Sequence, residues 1–208
     1  MDCDQCHLCF NPYYCESVFM KKVLLLNLFL VLFSVQITHA HSYHYELQVS
    51  SALQLNDKKE LESVKISWLY DGDVSDVMLQ DQKDLKKLGD KVIEDLSLLG
   101  FFTQLKLNGK TLAFNKIEDY KMEKLNNGEY DVLRLSFTLP FETTMSVKGD
   151  VEISFSHEDP SASAILYYES IKNISLGDLQ KSCKASVKEK KKFEEGEFPQ
   201  IVKVICKS

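Results

Sequence analysis

Hydrophobic and polar residues alternate with period two over Tyr43-His44-Tyr45-Glu46-Leu47-Gln48-Val49, and again over Val64-Lys65-Ile66-Ser67-Trp68-Leu69-Tyr70. Successive side chains of a strand point to opposite faces, so both segments read as strands with one face toward a core. The turn residues Asn56-Asp57-Lys58-Lys59 between them predict an antiparallel pair. From Asp76 to Leu99 the period changes. Leu79, Leu85, Leu88, Val92, Leu96 and Leu99 fall at helical steps with Lys and Asp between them. That predicts one amphipathic helix over about 76–99, with Gly89 as its weak point and Gly100 as its C-terminal cap.

Beyond Gly100 the strand pattern returns. Phe101 to Leu107 runs into Asn108-Gly109, the strongest short hairpin signal, and Thr111 to Phe114 leaves it. Lys116 to Lys124, Asp131 to Leu139 (ended by Pro140), Val151 to Ser156 and Ala164 to Tyr168 are further strands. Lys188-Glu189-Lys190-Lys191-Lys192 reads as the solvated tip of a hairpin whose arms carry Cys183 and Cys206. With no internal repeat and no linker, the expected fold is α+β: a single domain, mainly antiparallel β, with one main helix.

The N-terminus reads as an address. Met20-Lys21-Lys22 precedes an apolar run of 15 residues from Val23 to Ile37, and Thr38-His39-Ala40 supplies a small-residue cleavage site. This is the pattern of a secretory signal peptide at 20–40. The run is shorter than the ~20 residues of a membrane-spanning helix. Residues 1–19 are then an extension upstream of the true start. Within it, Cys3-x2-Cys6-x2-Cys9 looks like the opening of an iron–sulfur or zinc ligand run. It lacks the closing Cys-Pro and lies ahead of an export signal, so it is set aside with Cys15.

Cleavage after Ala40 leaves residues 41–208 as a single periplasmic domain, with 23 Lys and Arg against 28 Asp and Glu. The whole chain has a net charge of −6, which lacks the basic footprint of a nucleic-acid binder. The product is expected to be free of the membrane once cleaved. In that oxidising compartment Cys183 and Cys206 pair as a disulfide, worth ~3 kcal/mol for a loop of this size.

Catalytic constellations are missing. There is no Gly-x-Ser-x-Gly and no glycine-rich phosphate loop, and the adjacent carboxylates Glu118-Asp119 and Glu158-Asp159 point apart on a strand. No enzymatic activity is expected. The histidines carry more. Cleavage makes His41 the terminal residue, whose α-amine and imidazole can chelate together, and His44 follows three residues on. Glu46 shares a strand face with His44, as a further ligand or as the group that orients its imidazole. His157 and Asp159 close another strand. Such a set suits zinc, and equally nickel, cobalt or copper. Solvated histidines on a frayed terminus are the competing reading of the same spacing.

A signal peptide followed by Ala40-His41-Ser42-Tyr43-His44 at the start of a strand resembles a family of small exported bacterial proteins of long-unassigned function. That family usually begins Ala-His-Pro-His and is typically encoded beside nickel/cobalt-type permeases. Further matching stretches are Trp68-x-Tyr70-Asp71, Leu99-Gly100-Phe101-Phe102, Leu107-Asn108-Gly109-Lys110, Leu135 to Pro140 and Asp159-Pro160. The likeness is strongest to a member that serves periplasmic zinc uptake. His-x-x-His stands here where the family has His-x-His, and His44 aligns with the family's second histidine. The resemblance implies a metallochaperone or accessory subunit that hands a transition-metal ion to an inner-membrane metal permease. The alternative is a non-metal interaction or assembly module of the envelope, resting on an exposed pair at Tyr167-Tyr168.

Overall fold

The structure, a computed structural model, describes residues 45–117, 119–126, 128–161, 163–189 and 200–207. The first two strands, β1 (Tyr45–Leu55) and β2 (Glu60–Tyr70), pair antiparallel as their alternation predicts, with Val49 opposite Trp68 and Ser51 opposite Ile66. The buried row of β1 is Leu47, Val49, Ser51 and Leu53, and that of β2 includes Leu61, Ile66, Trp68 and Tyr70. The connecting turn is closed by the Asn56 side chain, whose Oδ1 accepts from Lys58 N and Glu60 N at 3.0 and 2.9 Å.

The helical stretch is divided. Helix α1 spans Gly72–Asp81 and α2 spans Leu85–Leu98, so the single helix expected over 76–99 is two, and the first starts earlier. Asp71 caps α1 by accepting from Val74 N at 2.8 Å, and Asp84 caps α2 by accepting from Lys86 N and Lys87 N. The break lies at extended Gln82, because Asp84 offers the next backbone N–H groups an acceptor better placed than a continued helix. Gly89 does not break the helix. It faces β5 (Tyr120–Asn126), where an added Cβ would sit 3.2 Å from Met122 Cβ, so its role is close packing.

Gly100, Phe101 and Phe102 follow with φ of 62°, 54° and 51°, one left-handed turn in which two residues are bulky. Each non-glycine residue there costs roughly 1–2 kcal/mol. Packing offsets it: Phe102 stacks on Trp68 at 5.9 Å, and Phe101 lies 6.0 Å from Phe137. This turn delays β3, which begins at Thr103 rather than at Phe101.

The remaining strands are β3 (Thr103–Leu107), β4 (Lys110–Thr111), β6 (Asp131–Ser146), β7 (Val151–His157), β8 (Ala164–Tyr167), β9 (Ile174–Ser175), β10 (Cys183–Glu189) and β11 (Gln200–Cys206). Sheet one runs β5-β6-β2-β1-β8, with β9 also on β1; sheet two runs β10-β11-β7-β3-β4. Among the described residues, only β8 and β9, both on β1, pair in parallel. Pro140 does not end β6. It pairs with Ser63 where the β2–β6 register shifts, which tolerates its missing N–H, and its carbonyl accepts from Asn115 N at 2.8 Å. Both sheets contribute to one hydrophobic cluster.

Cys183 and Cys206 face each other across the antiparallel β10–β11 pair and form the expected disulfide, while Lys188 and Glu189, read as part of the tip, belong to the arm β10. Residues 190–199 lie outside the described residues, as do 1–19, the segment 20–40 read as a signal peptide, His41 and His44. Among the described residues no helix is long and apolar enough to cross a membrane.

Candidate functional site: two polar clusters on β1 and β8

The first described residues are pinned on both sides. Tyr45 N donates to Ser163 O at 3.1 Å, and Glu46 N donates to Asp71 Oδ2 at 3.2 Å. Asp71 thus caps α1 with one oxygen and holds the start of β1 with the other. The Ser163 acceptor is itself placed by Asp159. Its Oδ1 takes Ser161 N and Oγ at 2.8 and 2.7 Å, and its Oδ2 takes Ser163 N and Ala164 N at 3.1 and 2.9 Å. Asp159 therefore shapes the loop that feeds β8.

On the outward face of this edge Glu46 is exposed and accepts a hydrogen bond from the Tyr167 hydroxyl. Burial holds the Tyr167 phenol above its ordinary range, and the negative charge of Glu46, Glu169 and Asp71 adds to the effect. Gln48, two residues on, donates to Glu169 Oε2 at 2.5 Å. The rim is thus an array of carboxylates around one phenol, a field that concentrates cations.

The inward face of the same strands is different. Ser51 Oγ and Tyr168 Oη are 2.5 Å apart, Tyr168 Oη and His157 Nε2 2.6 Å, and His157 Nδ1 and Thr103 Oγ1 3.0 Å. Thr103 Oγ1 donates to Phe101 O at 2.8 Å. Counting hydrogens orients the whole chain. The one hydroxyl hydrogen of Thr103 goes to Phe101, so His157 Nδ1 must donate to Thr103. His157 Nε2 is then an acceptor, Tyr168 donates to it, and Ser51 donates to Tyr168. The chain links Ser51 of sheet one to His157 and Thr103, cross-strand neighbours in sheet two, and ends on the left-handed turn. Burial alone lowers the His157 pKa to about 3 and holds the Tyr168 phenol well above its ordinary range, so both are neutral. Trp68 Nε1, beside this turn, is the buried side-chain polar atom among the described residues that lacks a partner.

The sequence-derived candidates therefore separate. Glu46 stands at the rim; His157 is 4% exposed with both ring nitrogens engaged; both oxygens of Asp159 are taken by its own loop. Among the described residues no three His, Cys, Asp or Glu side chains gather as a metal-holding group. His41 and His44 lie outside the described residues. The supposed exposed aromatic pair needs correcting, since Tyr168 is 4% exposed while Tyr167 is partly buried on the opposite face. Adjacent strand residues face opposite ways, so the two tyrosines cannot form one patch.

Asp71 and Glu169 at the rim and Ser51 and Thr103 in the core were not anticipated, and Tyr167 was anticipated only as half of an exposed aromatic pair. A signal for the core set exists: Ser51 follows Leu47 and Val49 on an apolar row, and His157 follows Val151, Ile153 and Phe155. A polar residue on a core-facing row needs a buried partner. No curated protein matches the chain. The model of a family described as Protein of unknown function (DUF1007) matches residues 24–197, most of the sequence, and the chain belongs to that family.

Proposed function

We propose that this chain is an exported metal-binding protein of the periplasm that carries zinc to an inner-membrane metal permease. His41 and His44 are the ligands, and Glu46 is the third donor or the group that orients an imidazole. The observation that supports this reading is the double anchoring of β1 at Tyr45 and Glu46. His44 precedes Tyr45 in the chain, within one ~3.8 Å Cα step of a fixed strand end. A ligand carried next to a fixed element has less freedom to lose on binding. The carboxylate rim of Glu46, Asp71 and Glu169 supplies the favourable field. The resemblance to the zinc-uptake protein ZevA supports zinc as the cargo, with nickel, cobalt and copper served by the same donors.

In this reading His157 and Asp159 are holding residues rather than ligands, because their polar atoms are committed to the core chain and to the β8 loop. Only neutral imidazole binds a metal, so affinity falls as pH drops through ~6.5. Calorimetric titration of zinc into the protein beginning at His41 tests the proposal. His44→Ala is expected to weaken binding by at least ~10-fold, since loss of even an outer-shell partner of a metal ligand costs that much. Equal, weak affinity in the two proteins would refute it.

A further inference from the structure

The outward face of sheet two is basic, in a chain whose net charge is −6. Alternation directs Lys184, Ser186 and Lys188 of β10 away from the row of buried Cys183. Register then places Lys184 beside Ile205, Ser186 beside Lys203 and Lys188 beside Ile201 on β11. Across β7, Lys203 and Lys106 flank Ser154. The acidic residue of this face is Glu152, which Lys203 contacts at 3.1 Å. Lys106, Lys184 and Lys188 have no ion-pair partner among the described residues. The sequence of the whole hairpin, 183–207, has seven lysines against four glutamates.

The outward face of sheet one differs: there Lys121 and Arg134 both contact Glu123, at 2.6 and 2.9 Å. The cations of that face share a carboxylate, whereas three of the four lysines on the outward face of sheet two have no ion-pair partner among the described residues. The surplus cations are lysines, compact charges on flexible stems, which suit laterally mobile phosphates better than a fixed bidentate partner. Ile201 and Ile205 lie between them, and Ile205 is 37% exposed, so apolar contact accompanies charge. Lysines near an anionic bilayer are drawn to it, and the attraction is screened within about one Debye length.

We propose that the outward face of sheet two docks the protein onto an anionic phospholipid surface through Lys106, Lys184, Lys188 and Lys203. This stands on charge and register and does not depend on the metal reading. Co-sedimentation of the protein from His41 to Ser208 with phosphatidylglycerol-containing vesicles, against pure phosphatidylcholine vesicles, tests it. Binding to the first only, lost at high salt, is expected. Lys184→Glu with Lys188→Glu weakens it at least ~10-fold. Lys58→Glu with Lys65→Glu, an equal change of net charge away from this face, leaves it intact. Urea denaturation checks that both pairs fold, and Lys184→Gln is the milder substitute. The proposal is overturned if the wild type ignores both vesicles or binds both equally, or if the two double variants lose binding alike. Retention on immobilised polyglutamate without vesicle binding also overturns it, in favour of an acidic protein partner.

Discussion

Two polar clusters sit on opposite faces of the same strands. On the inward side, Ser51 of β1 and Tyr168, just past the end of β8, join His157 and Thr103 in a chain of neutral groups, with each hydroxyl or imidazole hydrogen assigned to one acceptor. On the outward face Glu46, Tyr167 and Glu169 form a charged, solvent-facing rim. Tyr167 and Tyr168 are consecutive and belong to different clusters. Residue type alone therefore does not decide chemistry here; strand parity does. The inner chain ties the two sheets to the strained Gly100–Phe102 turn, while the rim bonds Glu46 to Tyr167 and Glu169 to Gln48 on the exposed face.

The largest test of this contrast removes the imidazole. His157→Ala opens a core cavity and leaves Tyr168 and Thr103 without their partner, a loss of roughly 3–5 kcal/mol in urea denaturation. A loss below ~1 kcal/mol would show that the chain does not hold the sheets. Replacing Cys183 and Cys206 together by Ala is next, at about 3 kcal/mol, read from the same denaturation midpoints. The acid response follows from burial. His157 titrates near 3 folded and near 6.5 unfolded, so the unfolded state binds the proton first. Its stabilising contribution is complete above pH ~6.5 and falls as pH drops, by about 2 kcal/mol between pH 6.5 and 4.5. In His157→Gln that slope should vanish.

Smaller effects separate strain from contact. Lys59 holds a left-handed φ of 61° in the exposed β1–β2 turn, so Lys59→Gly is expected to stabilise the protein by up to ~1 kcal/mol. At the rim, Glu46→Gln and Tyr167→Phe should change stability by less than ~0.5 kcal/mol while weakening zinc binding. Equal damage to stability from the rim and core substitutions would erase the distinction between the clusters.

Much of the fold is legible in the amino-acid pattern, because one-sided burial imposes period two. The β1–β2 pair, the Asn108-Gly109 turn and the cysteine-bridged hairpin all follow from local spacing. The division of the helix at Gln82–Asp84 was written in the capping aspartates, and the weak point expected at Gly89 proved to be a packing contact. The Gly100–Phe102 turn was not legible, since two phenylalanines in left-handed conformation make sense only with Trp68, Phe137 and the hydrogen bond from Thr103 around them. The rim was legible in Glu46 alone. Its other members come from Asp71, before α1, and from Tyr167 and Glu169, brought to β1 by a parallel pairing that no local signal announces.

The most direct measurement is a long-range proton–nitrogen NMR spectrum of the imidazoles in the protein from His41 to Ser208, recorded before and after zinc. The account predicts that His41 and His44 shift to metal-bound positions while His157 keeps its neutral form, protonated at Nδ1, unchanged by zinc and by lowering the pH from 7 to 5. A shift of His157 on adding zinc, or its protonation in that range, would contradict the separation of a structural histidine from a binding rim.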